Sequence, residues 1–333
     1  MTQIPLIASS VLLPAAMLVA GCAHAEPPYV HPDDRWYADF TNPNPCKEGV
    51  TNEFVTLRNT NGTVVVSLVG ANVTSYVPAG GEEVLFSVDS PDHFSPILQP
   101  CGIPVVWPWF GRNGEAGSTP HSFVRQMKWN VIERSENEWR SRLVLGLDST
   151  PETRRLWPYD FRLRLTVVLA DQLHVTLETE NTDKVPLTIT EGFHSYFRVS
   201  DVNGVVLRGL DGCCDMSGGC DKPRKRFEGD LRFHAGEGRV FTPGNGEFVL
   251  FDEGKGRAIA LATRGNSRLI LWSTTAKSTD PRFHGDDWRH FVCLEPAIIN
   301  RDAALTILPG RRHDIRMSVK AVPSARRRGS AEP

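Results

Sequence analysis

The 333-residue chain lacks an excess of charge of either sign, since 37 Lys and Arg residues oppose 39 Asp and Glu residues. The formal net charge of −2 argues against a basic nucleic-acid-binding protein, so we expect no nucleic-acid partner. After residue 25 there is no apolar run of about 18 residues, which argues against a transmembrane helix there. Amphipathic helical patterns are nearly absent too, so a mainly helical fold is not expected.

The first 25 residues have the pattern of a targeting segment. Ile4–Ala20 is apolar apart from two serines, and its length and two prolines fit a signal peptide better than a spanning helix. Val19–Cys22 resembles a bacterial lipobox that would attach lipid to Cys22, whereas Ala23–Ala25 is an A-x-A site for cleavage before Glu26. We therefore predict an exported protein, secreted or anchored as a lipoprotein. Because no Lys or Arg precedes the run, the alternatives are an uncleaved anchor, a misassigned start codon, or a cytoplasmic protein.

The body of the chain alternates apolar and polar residues with the period of two that is typical of strands. Residues 162–180 predict an antiparallel hairpin, and residues 54–69 predict another around Asn61-Gly62. Further strands are expected at 84–88, 129–133, 142–147, 187–191, 205–208, 248–251, 257–263, 268–273, 290–295, 304–308 and 313–321. With 28 Gly and 24 Pro residues between strands, the pattern predicts an all-β sandwich or barrel.

The seven cysteines leave an even number, six, if Cys22 is lipidated or removed. Cys213 and Cys214 are adjacent, so they lack the spacing of a zinc site and are poorly placed to pair with each other. A disulfide would need a distant partner such as Cys46 or Cys101. We expect at least one disulfide, and the alternative is a set of buried free thiols.

Two segments in the first half of the chain suggest carbohydrate binding. Residues 102–112 contain Trp107 and Trp109, and aromatic rings beside polar groups pack well on the apolar faces of sugars. The alternative is a tryptophan in the protein core. Downstream, His121 and Arg125 lie in one short loop that could hydrogen-bond a polyol or an anion. The alternative here is a solvated loop.

Two further segments suggest acid–base chemistry. His194 lies among aromatic residues at the end of a predicted strand, and an imidazole can give or take a proton near neutral pH. Glu295 would share one face of a strand with Phe291 and Cys293, which would partly desolvate its carboxylate and raise its pKa. The structural alternatives are a buried core histidine and a glutamate emerging at a strand end.

Taken together, these segments resemble the aldose 1-epimerase (galactose mutarotase-like) superfamily, and within it the glucose-6-phosphate 1-epimerase, or hexose-6-phosphate mutarotase, group. The resemblance runs from about Phe54 to Val319. The matching blocks are Gly70–Ser75, Gly81–Ser87, Gly102–Gly111, His194–Phe197 and Cys293–Ala297.

The resemblance implies a β-supersandwich of antiparallel strands over 50–322, after a signal over 1–25 and an N-terminal lead-in over 26–49. Residues 323–333 are expected to form a disordered tail. The implied activity is that of an isomerase that needs no metal and no other cofactor. His194 would protonate the ring oxygen of a sugar while Glu295 takes the anomeric hydroxyl proton, so that the ring opens and closes on the other face.

The substrate implied by the resemblance is a hexose or a hexose 6-phosphate. The residues expected to bind it are Trp107, Arg112, His121, Arg125 and Glu237. The binding set also departs from the family pattern at three positions. Pro100 stands where the sugar-phosphate branch carries an arginine, Gly238 where an aspartate is expected, and Ser122 where a glycine follows the histidine. These departures keep three alternatives open: an epimerase of neutral sugars, a non-catalytic carbohydrate-binding protein, and a structural surface lipoprotein.

Overall fold

The computed structural model describes residues 54–88, 101–111, 120–217, 226–280, 282–299 and 304–323. Several features named above lie outside these residues. They are the signal segment with Cys22, the lead-in, Cys46, Pro100, Arg112, Cys220 and the tail after residue 323.

The described residues form mostly strands, numbered here in chain order. The first eleven are β1 (Phe54–Asn59), β2 (Gly62–Ser67), β3 (Val73–Pro78), β4 (Val105–Val106), β5 (Asn130–Glu136), β6 (Ser141–Asp148), β7 (Phe161–Leu169), β8 (Leu173–Asn181), β9 (Leu187–Ile189), β10 (Glu191–Phe193) and β11 (Tyr196–Arg198). The others are β12 (Val205–Arg208), β13 (Cys214–Asp215), β14 (Leu231–Arg232), β15 (Gly238–Thr242), β16 (Gly246–Asp252), β17 (Arg257–Arg264), β18 (Arg268–Trp272), β19 (Phe291–Ile298), β20 (Leu305–Ile307) and β21 (Arg312–Pro323).

Helical structure within the described residues is short. The α-helix α1 (Pro151–Leu156) begins with a capping box, in which Thr150 and Thr153 exchange side-chain-to-backbone hydrogen bonds. Three 3₁₀ helices cover Val124–Gln126, Val202–Gly204 and Asp287–Arg289. No described helix is long and apolar enough to cross a membrane.

The strands assemble into two large antiparallel sheets and two small ones. The larger sheet has the order β14-β12-β16-β17-β21-β8-β7-β6-β5. The second large sheet has the order β13-β15-β18-β19-β10-β4, and β11 also pairs with β19. β1, β2 and β3 form a third sheet, while β9 pairs with β20. This arrangement confirms the all-β, antiparallel prediction.

Both predicted hairpins are present, for the reasons that the sequence suggests. In β1 and β2 the register places Asn59 opposite Gly62, and the Asn59 side chain accepts a hydrogen bond from the Asn61 backbone N–H. In β7 and β8 every second residue is buried, and the polar residues between them are partly exposed for most of the hairpin. Burial of one face on the main core therefore fixes the register of the hairpin.

Two predicted strands differ from the structure. Residues 84–88 form no regular strand; Leu85 makes an isolated bridge to Phe197, and the Glu83 carboxylate accepts the N–H of Leu85. Residues 187–191 divide into β9 and β10, which join different sheets. The division falls at Thr190. Its backbone N–H bonds the Pro108 carbonyl, and its hydroxyl accepts the Phe110 N–H.

The cysteines give a second correction. Cys101, Cys213, Cys214 and Cys293 are free thiols, so the expected disulfide does not form among the described cysteines. Cys101 is not the distant partner of Cys213 or Cys214. The alternative of free thiols holds for these four residues, three of which are buried.

Candidate active site

The site is built where two short strands meet β19. β10 places Gly192 opposite Ala297, and β11 places Tyr196 opposite Cys293. His194 lies in the gap between β10 and β11, where its backbone N–H bonds Pro104 beside β4. The same strand, β19, carries Glu295, so its pairing with both short strands brings the two residues together.

His194 and Glu295 form a buried pair. The Nδ1 atom of His194 lies 3.5 Å from Oε1 of Glu295, and the side chains are 13% and 3% exposed. This contact is not a hydrogen bond, and Nδ1 has no hydrogen-bond partner among the described residues. The imidazole is stacked on Tyr196, with ring centroids 4.7 Å apart. The aromatic stack holds the imidazole in one plane, with Nδ1 facing the Glu295 carboxylate.

Burial shifts the two pKa values in opposite directions. It raises the pKa of Glu295 well above its usual value, although the charge of Arg125 opposes this shift. Burial lowers the pKa of His194 well below its usual value, and the positive charges of Arg125 and Arg282 add to this shift. Burial therefore favours the uncharged form of each side chain, which is the protonated carboxyl of Glu295 and the neutral imidazole of His194. The sequence suggested the raised pKa of Glu295 but not the lowered pKa of His194.

His121 lies beside His194, as the sequence suggested. The two imidazole rings meet edge to face at 5.2 Å, and Phe110 contacts both rings. Nδ1 of His121 accepts a hydrogen bond from the Gly111 N–H, so the other ring nitrogen carries the proton when the ring is neutral. Burial, with Arg125 and Arg282 nearby, lowers the pKa of His121 to about 3. His121 can therefore donate a hydrogen bond to a sugar oxygen but carries no charge.

Arg125 supplies a buried positive charge near the pair. It lies in the 3₁₀ helix Val124–Gln126 and is 8% exposed. Its charge lowers the pKa values of Glu295, His121 and His194, so it is within electrostatic range of all three. The structure thus groups Arg125 with the acid–base pair, as the resemblance implied.

Trp107 lies in the core and not in the pocket. Its side chain has no exposed surface and packs against Phe161, Trp157 and Phe123 at centroid distances of 4.5, 5.0 and 6.4 Å. A sugar cannot reach it without displacing these rings. The expectation that Trp107 binds substrate is therefore corrected in favour of the core alternative. Phe110, three residues later, provides the aromatic surface beside His194.

Glu237 directly precedes β15, which pairs with β18. The following residue, Gly238, pairs with Trp272 of β18, and Trp272 meets the His194 ring edge to face at 6.0 Å. The Glu237 backbone N–H bonds the Ser273 hydroxyl, and its carboxylate lies 3.3 Å from His234. Burial raises the pKa of Glu237. The last predicted binding residue, Arg112, lies outside the described residues.

Sequence reasoning missed two residues at the site, Trp272 and Arg282. Trp272 ends a predicted strand, but nothing in the pattern of that strand points to His194. Arg282 follows it in the loop before β19, and no motif surrounds it. Trp272 meets His194 because β18 pairs with β19, and Arg282 lies in the loop that joins these two strands.

One group of donors at the site could hold a metal ion. Ligand atoms of His194, Cys293 and Glu295 all lie within 4.8 Å of one another. Nitrogen, sulfur and oxygen donors of this kind suit a zinc-like ion. An ion there would occupy the same imidazole and carboxylate that form the acid–base pair.

Comparison with known proteins identifies the family. The family model described as aldose 1-epimerase matches residues 53–320, which include both members of the acid–base pair. The chain belongs to the aldose 1-epimerase family. It is therefore an isomerase of the epimerase or mutarotase type.

Curated relatives of this aldose 1-epimerase family member carry a narrower name. Four matching proteins, from different organisms, are named "Putative glucose-6-phosphate 1-epimerase". The one from Cenchrus ciliaris is 27% identical over 280 residues, 80% of this chain and 84% of the relative. The one from Escherichia coli K12 is 28% identical over 243 residues, 72% of this chain and 81% of the relative.

Solved structures share the fold at lower identity. A "putative mutarotase" from Salmonella typhimurium has a TM-score of 0.73 at 23% identity, covering 82% of this chain and 91% of that one. The galactose 1-epimerase of Lactobacillus acidophilus has a TM-score of 0.66 at 16% identity, covering 84% and 96%. At these sequence identities, both similarities support a shared fold and nothing narrower.

Proposed function

We propose that this protein interconverts the α and β anomers of a hexose or hexose 6-phosphate, with His194 and Glu295 moving the protons. The observation that carries the proposal is the buried His194–Glu295 pair, whose facing atoms are 3.5 Å apart at the junction of β10, β11 and β19. The names of the curated relatives support the choice of a sugar phosphate.

Opening the sugar ring requires one proton to reach the ring oxygen and another to leave the anomeric hydroxyl. In the proposed mechanism His194 donates the first proton and Glu295 accepts the second. The aldehyde end then rotates, and closure with the roles reversed gives the other anomer. The atoms balance because each proton taken in opening is returned in closing.

The directions of the two pKa shifts suggest how the pair reaches its reactive form. Protonated Glu295 with neutral His194 holds the same number of protons as ionised Glu295 with charged His194. Moving one proton from the carboxyl to the imidazole therefore gives the proposed acid and base without exchange with solvent. The positive charge of Arg125 favours the ionised form of Glu295.

The test is the rate of anomer exchange measured by NMR for glucose 6-phosphate, glucose and galactose. Replacing His194 by Ala or Glu295 by Gln should each lower kcat by about 100-fold or more, since general acid–base groups contribute about 10²–10⁴-fold. His174→Gln changes a histidine of β8 in the other large sheet and serves as the matched control, with an unchanged rate. Full activity in either site variant would disprove the assignment.

The set of sugars whose anomer exchange is accelerated distinguishes the two other candidate functions. Acceleration of glucose and galactose alone would indicate an epimerase of neutral sugars, which Pro100 in place of the family arginine favours. Saturable sugar binding with no acceleration would instead indicate a non-catalytic carbohydrate-binding protein.

A further inference from the structure

The proposed mechanism does not use one buried side chain of the site, the thiol of Cys293. This residue lies two positions before Glu295 in β19, so the two side chains project from the same face of the strand. Cys293 has no exposed surface, and Glu295 is 2% exposed. Because Cys293 forms no disulfide, its sulfur is available as a ligand.

The donor atoms of the site have the spacing of a metal-binding site. Ligand atoms of His194, Cys293 and Glu295 all lie within 4.8 Å of one another, and Nδ1 of His194 is 3.5 Å from Oε1 of Glu295. A tetrahedral zinc ion, with ligands at about 2.0–2.3 Å, places its donor atoms about 3.3–3.6 Å apart. The nitrogen and the oxygen therefore already have the separation that such an ion requires, and the sulfur needs a shift of about 1.3 Å at most.

The Nδ1 atom of His194 is a second observation that points to a ligand. It is buried, and within the described part of the chain it makes no hydrogen bond. A buried nitrogen without a partner has lost its hydration, and coordination to an ion would compensate for that loss. Stacking of the imidazole on Tyr196 at 4.7 Å holds the ring while Nδ1 faces Glu295.

We infer that His194, Cys293 and Glu295 form a binding site for a thiophilic divalent cation of the zinc type, which inhibits the enzyme. Imidazole, thiolate and carboxylate are all zinc ligands, whereas hard cations such as Mg²⁺ prefer oxygen. The thiolate and the carboxylate together neutralise the two charges of the ion, and the protons that they lose pass to solvent. Water would take the fourth position, as in other zinc sites with three protein ligands.

Inhibition follows from the overlap of the ion with the acid–base pair. An ion bound to His194 and Glu295 would hold the imidazole and the carboxylate that move protons in the proposed mechanism. The ion and the sugar would therefore compete for one site. Inhibition rests on the proposed function, whereas binding of the ion does not.

The first experiment measures anomer exchange by the full chain with Zn²⁺ or Mg²⁺ added, for whichever of glucose 6-phosphate, glucose and galactose it accelerates most. Zn²⁺ should raise KM and leave kcat unchanged, because the ion and the sugar exclude each other, and a chelator should restore the rate. Mg²⁺ at the same concentration should have no effect. A fall in kcat at unchanged KM, or no inhibition at a large excess of Zn²⁺, would overturn the inference.

The Cys293→Ser variant tests the role of the thiol, since serine has a similar size but lacks the soft sulfur ligand. We expect the inhibition constant for Zn²⁺, measured against the variant's own rate without zinc, to rise about 10-fold or more, because loss of even an outer partner of a metal ligand costs about 10–100-fold in affinity. Cys213→Ser replaces another buried free thiol and is the matched control, with unchanged inhibition. Equal inhibition of the full chain and Cys293→Ser would refute the role of the thiol and with it the site.

Binding of Co²⁺ gives a readout that does not depend on activity. A thiolate ligand gives Co²⁺ a charge-transfer absorption in the near ultraviolet. This band should appear in the full chain and in Cys213→Ser, and it should be weaker in Cys293→Ser. A band that Cys293→Ser leaves unchanged, or no band in any of the three proteins, would contradict the proposed site.

The cobalt band also separates failure of the inference from failure of the proposed function. If the full chain accelerates no sugar, the proposed function fails, and the band alone decides whether the three residues bind a cation. If Cys293→Ser does not fold, competition in the unmodified chain decides instead. An accelerated sugar should then weaken the cobalt band, and a band that the sugar leaves unchanged would place the ion outside the acid–base pair.

Discussion

At the scale of single residues, the sequence could suggest which residues meet at the candidate site, but it could not suggest their protonation. His194 and Glu295 stand in short blocks whose residue types are informative, so the sequence was sufficient to choose them. Their pKa values depend on burial and on the charges of Arg125 and Arg282. Those neighbours lie far apart in sequence, and no local pattern shows that they share a pocket.

At Trp107 the residue type suggested sugar binding, but the burial of the side chain does not fit that role. The sequence places it beside polar residues in a block typical of the family, but the structure surrounds it with three other aromatic rings. Phe110 of the same block faces His194 instead. In an irregular, proline-rich segment, the turns of the backbone decide which aromatic ring faces His194. The alternation of apolar and polar residues that predicts strands does not describe such turns.

Backbone strain at Ser122 gives a prediction at this scale. His121 and Ser122 both have left-handed backbone angles, with φ of 57° and 75°, and the family carries glycine at the second position. A side chain in this region costs about 1–2 kcal/mol, more than the extra chain entropy of glycine, about 0.5–1 kcal/mol. Ser122→Gly should therefore be more stable than Ser122→Ala by about 1 kcal/mol in urea unfolding.

The comparison is made between the two variants because both lose the buried Ser122 hydroxyl, and only alanine keeps the Cβ atom. Equal stability of the two variants would show that the left-handed backbone at Ser122 carries no measurable strain.

At the scale of strands, the sequence predicted local pairs better than distant ones. Hairpins such as β7–β8 follow from alternation and a short turn. The pairing of β10 with β4 and β19 joins segments about a hundred residues apart, and the division of 187–191 into β9 and β10 depends on Thr190 bonding Phe110. Because these contacts are made only in the folded chain, the sequence could not reveal the spacing of His194 and Glu295.

The close approach of β10 and β19 at Gly192 leads to a second prediction. A Cβ atom there would lie 2.8 Å from Cβ of Ala297 and 2.9 Å from the Pro296 carbonyl oxygen, so one strand would have to move. We expect Gly192→Ala to displace His194 from Glu295 and to lower kcat by about 10- to 100-fold, since a shift of about 1 Å can cost 10²-fold.

The measurement is anomer exchange, with circular dichroism to show that the fold persists. Gly204→Ala is the control, because a Cβ at that position meets nothing within 4 Å. An unchanged kcat in a folded Gly192→Ala variant would mean that the separation of the two strands does not set the geometry of the pair.

At the scale of the whole molecule, the fold and the targeting segment were predicted from different kinds of information. The all-β class follows from alternation and turn residues along the chain, and the sheet orders bear it out. Export was predicted from residues 1–25, which lie outside the described residues. It stays a prediction, and it affects the substrate, because hexose phosphates would rarely be met outside the cytoplasm.

We propose that residues 1–25 direct export, and two substitutions distinguish the two ways of processing them. In a bacterial host with lipoprotein processing, lipid attachment at Cys22 would place the protein in the membrane fraction, and Cys22→Ala would release it. Cleavage before Glu26 would instead give a secreted protein whose processing fails in Ala25→Arg, since the site requires small residues. A full-length chain with an intact N-terminus in the cytoplasmic fraction would contradict both. That result would favour hexose phosphates as substrates, since these are rarely met outside the cytoplasm.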